Sequence, residues 1–206
     1  MILVPATGSL TFNLDIEFAV DEYLVTYMYG EAVYGLRVDD ALQNLDPSPF
    51  SIVSPGLTPE STRLATNGAD FFVVWREYSN GTQYGEVRGT RVTHAGQVLD
   101  PGGLTISDLI FIGANDPRVA WDGTNWIVTY KALNFGDDPD VVLASRVTPA
   151  GQVLEVGGVN IEPVATGYMH FEIEGAFGGG VQAVWTDDRA GGLHPYDCLL
   201  YTSRCV

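Results

Sequence analysis

The chain has 206 residues, a formal net charge of −16 and only 10 Lys and Arg against 26 Asp and Glu. Hydrophobic residues make up 46% and charged residues only 17%, a globular composition rather than a disordered acidic one. A shortage of cations argues against a nucleic-acid partner, and no apolar run reaches the about 18 residues needed to span a bilayer, so no membrane insertion is expected.

The amino terminus, MILVPATGSL, has neither a basic segment nor a long apolar core. It is not read as a signal peptide. After it, the sequence repeats. Trp75, Tyr130 and Trp185 are 55 and 55 apart, as are Gly68, Gly123 and Gly178. Arg91 and Arg146 keep the same interval, while Tyr27 to Trp75 is shortened to 48 and Arg37 to Arg91 to 54. One spacing held at several independent positions defines copies of one unit, at about residues 14–53, 61–107, 116–162 and 171–197. Residues 8–12 resemble the last strand of the second copy, so the chain is expected to begin inside a preceding unit.

Each copy reads as four short strands. In the third they fall at 118–121, 126–131, 141–147 and 159–161, with Val153 and Leu154 leading into the last. Trp126, Val128 and Tyr130 alternate with Ile127 and Thr129. Both sides are largely apolar, so both faces of each sheet are expected to be covered. Asn67-Gly68 and Asp122-Gly123 are hairpin turns, because glycine accepts positive φ. His94-Ala95-Gly96 and Pro149-Ala150-Gly151 serve the same purpose between the third and fourth strands.

Four antiparallel strands per unit, flanked by neighbours, predict an all-β fold, a β-propeller. The expected form is one domain over residues 1–197, an open fragment of about three and a half blades that the remaining blades of a parent protein would complete. Stacked β-sandwiches are the weaker alternative, since about 55 residues are too few for one. A closed four-bladed ring is another. The run Cys198-Leu199-Leu200-Tyr201-Thr202-Ser203 resembles one reading frame of a transposon adapter used in sequencing libraries. Residues 198–206, which hold both cysteines, are therefore expected to be a non-native tail.

The repeat resembles a family of acidic repeat proteins from bacterial secreted or surface polypeptides. Residues 91–100, 120–130, 146–155 and 184–189 carry the resemblance. It implies a blade and an extracellular or cell-surface setting, without specifying an activity. The WD40 pattern and the sialidase Asp-box are both absent.

The segments between second and third strands vary among copies, as do the connections between copies, and both sets are expected on one face. Function resides on loops carried by a rigid scaffold. The candidate ligand-binding residues there are Tyr78, Tyr84, Phe135, Asp137, Asp138, Asp140 and Tyr168. Aromatics beside carboxylates suit a carbohydrate or a protein ligand, and the main expectation is non-catalytic binding or display. Asp137-Asp138-Pro139-Asp140 offers oxygens for Ca²⁺ but lacks the spacing of an EF-hand loop, so no cofactor is assigned. Arg37, Arg91 and Arg146 are expected to pair with acids of neighbouring blades. His94 reads as a turn residue only. Two rivals are weighed. A propeller hydrolase or lyase would show dissimilar acids or histidines breaking the repeat at the central channel. A structural spacer would show no shared concavity.

Overall fold

A computed structural model describes residues 13–55, 58–78, 85–107, 113–133, 141–162, 170–175, 180–187, 194–201 and 204–205. Each copy of the repeat folds into one antiparallel sheet of four strands in simple up-and-down order. The first blade holds β1 (Asp15–Ala19), β2 (Glu22–Tyr29), β3 (Ala32–Asp39) and β4 (Phe50–Val53). The second holds β5 (Pro59–Thr66), β6 (Phe71–Tyr78), β7 (Gly85–Val92) and β8 (Leu104–Thr105). The third holds β9 (Gly113–Trp121), β10 (Trp126–Leu133), β11 (Val141–Val147) and β12 (Val159–Glu162). The fourth holds β13 (His170–Gly175), β14 (Val181–Asp187), β15 (His194–Tyr201) and β16 (Arg204–Cys205). The fourth sheet thus has four strands where a truncated unit was expected, and β15 and β16 run through the stretch expected to be a tail.

The first strand of each blade is innermost: β1 lies beside β5, β5 beside β9 and β9 beside β13. This is the arrangement of a β-propeller. The alternation in each second strand explains the stacking. Trp126, Val128 and Tyr130 of β10 pack against Phe72, Val74 and Val87 of the second blade. Ile127, on the opposite side of β10, packs with Ile173, Val181 and Trp185 of the fourth. Phe71, Val73 and Trp75 of β6 meet Leu24 and Val33 of the first blade. Every interior sheet is apolar on both faces because each face buries against a neighbour.

The outermost faces of the arc lack such cover. Leu64, Val119 and Ile173, at one register position facing the preceding blade, are 4%, 8% and 8% exposed, whereas Ile16 at the same position is 46% exposed. On the other side, Thr26, Val74 and Thr129 are 0% exposed and their counterpart Val184 is 42% exposed.

The turns follow the sequence. Gly68 and Gly123 take φ of +88° and +96°. The Asn67 side chain accepts from the backbone N–H groups of Ala69 and Asp70, and Asp122 does so from Thr124 and Asn125. Between third and fourth strands, Gly96 and Gly151 have φ of +78° and +84° and donate to Thr93 and Thr148 carbonyls. The first blade uses Leu42 at this position, at φ +59°.

The arginines at 37, 91 and 146 correct one expectation. Each pairs with an acid nine residues on in its own blade. Arg37 binds Asp46 through Nε at 3.1 Å and Nη2 at 2.6 Å, and Arg91 binds Asp100 through Nε at 2.9 Å and Nη2 at 2.7 Å. Arg146 binds Glu155 through Nε at 2.9 Å and through Nη2. The acid also accepts the arginine's own backbone N–H in all three blades. A cross-bridge of nine residues closes the loop within the blade, so no neighbour's acid is needed.

Candidate functional site

A cavity of about 620 Å³ lies where the four innermost strands converge, walled by residues 13–15 and 17, 63–66, 118–121 and 172–175. Strand pairing shows which wall positions are equivalent. Asp15 pairs with Thr26, Arg63 with Val74, Arg118 with Thr129 and Glu172 with Val184. In each case the partner is the residue just before the repeating aromatic, Tyr27, Trp75, Tyr130 or Trp185. Asp15, Arg63, Arg118 and Glu172 therefore form one level of the channel. Two residues further along each strand, Glu17, Ala65, Ala120 and Glu174 form the next. The hydrophobic positions flanking them repeat in every copy; these are the same in the second and third blades, Arg and then Ala, and change to acids in the first and fourth.

A backbone device precedes the first level. Asn13, Ser61 and Asp116 each stand two residues before it, and each has positive φ, +63°, +51° and +49°. In β5 and β9 the register slips at this point, between Glu60 and Arg63 and opposite Thr129 and Lys131. A β-bulge bends a strand and re-aims the side chain that follows. Recurrence of a left-handed residue in three blades marks a geometry held by the fold.

Within the channel, Arg118 grips Glu172 with two parallel bonds, Nε to Oε2 at 2.7 Å and Nη2 to Oε1 at 3.0 Å. Its Nη1 donates to the Pro117 carbonyl at 3.1 Å. Arg63 donates to the Thr62 carbonyl at 2.8 Å. Burial, then repulsion from Arg118, draws the Arg63 guanidinium below its ordinary pKa. Asp15 is oriented by two backbone donors, Leu64 of the second blade at 2.9 Å and Ile16 at 3.0 Å. Burial outweighs those bonds, and the Asp15 carboxyl is raised above its usual range. Glu17 is displaced much further. Burial, reinforced by Asp15 and then Glu174, pushes its carboxyl up to about 7. The channel therefore holds a carboxylic acid poised to carry a proton near neutrality beside a second carboxylate fixed by backbone bonds.

The predicted loop residues fare differently. Tyr84, Phe135, Asp137, Asp138, Asp140 and Tyr168 lie outside the described residues. Tyr78 ends β6, half-buried, with the Arg76 guanidinium 4.2 Å above its ring. Its ring is covered by its own strand's arginine, and Arg76 is in turn 3.7 Å from Glu60. The channel residues were not among the candidates. Their signal is present in the sequence: a charged residue at one position of all four copies, acidic in the first and fourth and Arg in the second and third.

No protein-family model matches the chain, and no curated protein matches it. Solved structures are similar in fold. An endo-arabinase from Bacteroides thetaiotaomicron is 14% identical, with 91% of this chain and 74% of that one covered and a TM-score of 0.53. An α-L-arabinofuranosidase from Lactobacillus brevis is 11% identical over 96% and 77%, with a TM-score of 0.53. An endo-1,4-β-xylanase from Bacteroides thetaiotaomicron is 12% identical over 95% and 73%, with a TM-score of 0.54. At these identities the likeness is one of fold.

Proposed function

We propose that the central channel binds carbohydrate and cleaves a glycosidic bond, with Glu17 as general acid and Asp15 as the carboxylate that acts opposite it. The reading rests on the broken repeat at the channel. Two successive levels carry dissimilar charges, Asp, Arg, Arg, Glu and then Glu, Ala, Ala, Glu, where a purely structural channel would repeat like the strands around it. Glycoside cleavage needs one carboxyl protonated to release the leaving oxygen and one ionised to activate water or attack carbon. Asp15 and Glu17, two residues apart on one strand, project to the same side. Arg118 holds Glu172 in place with two parallel bonds.

The similar solved structures make arabinose- and xylose-containing polysaccharides the first substrates to assay. Polysaccharide substrates place the work outside the cell, and no helix of the described residues is long and apolar enough to cross a membrane. The test is hydrolysis of arabinan, xylan and an aryl α-L-arabinofuranoside, with binding of the oligosaccharides followed by calorimetry. Glu17→Gln is expected to retain binding and lose about 10²–10⁴ in kcat. Binding without turnover in the unaltered chain would instead establish the non-catalytic reading, which the Arg118–Glu172 pair, spending two channel charges on each other, favours. Neither binding nor turnover on any of these would overturn both.

A further inference from the structure

Away from the channel, where the turn between β1 and β2 meets the turn after β7, three ligating side chains of two blades converge. We propose that Asp21, Glu22 and His94 form a divalent-cation site, suited to Zn²⁺, that ties the first blade to the second. The His94 ring lies between the two carboxylates. Its Nδ1 is 3.4 Å from Glu22 Oε1 and its Nε2 is 3.4 Å from Asp21 Oδ1. One ligand atom from each residue can be chosen with all three within 4.8 Å of one another. Tetrahedral Zn²⁺ with bonds of about 2.0–2.2 Å places its ligands roughly 3.3–3.6 Å apart, a spacing that Nδ1 and Glu22 Oε1 already have and to which the exposed Asp21 side chain must draw in from the Nε2 edge.

The second observation is an unmet demand. Glu22 is only 3% exposed, yet its Oε1 is buried without a hydrogen bond, and so is the Nδ1 of His94 facing it. A buried oxygen left without a donor is costly. Arg37 does not meet this need: its Nη1 stands 3.7 Å from the other oxygen, Oε2, and its bonds go to Asp46 and the His94 carbonyl. A cation between them would bond both atoms, which otherwise face each other at 3.4 Å without a hydrogen bond. Asp21, at 79% side-chain exposure, leaves the outer side open to water ligands.

The imidazole is carried on a fixed backbone. His94 N–H donates to Asp70 at 3.0 Å, and its carbonyl accepts from Arg37 at 3.1 Å. Fixing the support in advance lowers the entropy lost on ligation. A nitrogen ligand favours Zn²⁺ and its transition-metal neighbours over Ca²⁺ or Mg²⁺. At the next seam the equivalents of Asp21 and His94 are Ala69 and Pro149, which offer no ligand, so that seam lacks the set.

The test is calorimetric titration of the chelator-treated 206-residue chain with ZnCl₂, alongside its melting temperature with and without Zn²⁺. His94→Pro installs the residue of the next copy and keeps the carbonyl that Arg37 uses. Asp21→Asn alters an exposed position. Each is expected to weaken one Zn²⁺ equivalent by at least about tenfold and to abolish the Zn²⁺-dependent rise in melting temperature, with CaCl₂ and MgCl₂ inert. Should His94→Pro fail to fold, His94→Gln and Asp21→Asn decide. The proposal is overturned if the unaltered chain takes up no Zn²⁺, or if the variants bind it with unchanged stoichiometry and affinity.

Discussion

Arg91 of the second blade donates its Nη1 to the backbone carbonyl of Pro149 in the third, at 3.1 Å. Arg37 does the same one blade earlier, to His94. One guanidinium thus closes a nine-residue loop in its own sheet and fastens the turn of the next. Lysine has no planar fork and cannot do both. Arg91→Lys is expected to destabilise the fold by about 1–3 kcal/mol, read as a lower urea midpoint with an unchanged slope.

The same pairs set the acid limit. Burial alone would raise Asp100 and Glu155, but the bonds from Arg91 and Arg146 prevail and hold both carboxyls below their ordinary values. As pH falls, the unfolded chain takes up these protons before the folded chain does. The stability from these pairs is therefore complete above the ordinary values of 3.8 and 4.5 and is lost as pH drops through the depressed ones. Melting temperatures measured from pH 6 downward should show this fall, and the Arg91→Lys, Arg146→Lys double variant should show less of it.

Glu17 acts with the opposite sign. Its folded pKa of about 7 lies above its ordinary 4.5, so between those values the folded chain holds a proton that the unfolded chain has lost. Its contribution is present below 4.5 and disappears as pH rises through 7. Glu17→Gln should flatten the decline and melt higher than the unaltered chain at pH 8. With Glu17 as the general acid, kcat/KM for the unaltered enzyme should hold below about 7 and fall as pH rises through that value.

Leu42 occupies the left-handed position that glycine holds in the second and third blades. A non-glycine residue there carries about 1–2 kcal/mol of strain, offset in part by the greater chain entropy of glycine when unfolded. Leu42 is exposed, so little packing is lost. Leu42→Gly should stabilise the protein by roughly 0.5–1 kcal/mol in a denaturant titration.

A Cβ at Gly89 would stand 2.7 Å from the Phe72 ring. The third blade carries Ala144 at the place equivalent to Gly89, and the smaller Ile127 at the place of Phe72. Gly89→Ala should therefore cost about 1–3 kcal/mol through overpacking, and pairing it with Phe72→Ile should recover part of the loss, which a double-mutant cycle would measure.

The 55-residue interval was enough to place the second and third strands of the third blade within two residues, because alternation and glycine turns are local, but it missed the third strand of the fourth. It also gave the two-sided burial of Trp126 and Ile127. The channel was harder to see. Asp15, Arg63, Arg118 and Glu172 lie far apart in sequence and become neighbours only when the blades are assembled. The first copy is compressed, which hides the correspondence of Asp15 with Arg63. The arginine partners were misassigned for a related reason: an acid nine residues on falls opposite only because the turn after the third strand folds back onto it. Glu22 and His94 meet through the blade seam, which no single copy reveals.

The alternation of each innermost strand has one more consequence. Leu64, Val119 and Ile173 face the preceding blade, while Arg63, Arg118 and Glu172, their immediate neighbours in sequence, face the channel. Assembly and channel chemistry are thus entrusted to separate side chains on the same few residues of backbone. Replacing the channel residues leaves the apolar surfaces between blades untouched, so duplicated copies of one unit can be given unlike hubs while remaining interchangeable as spokes.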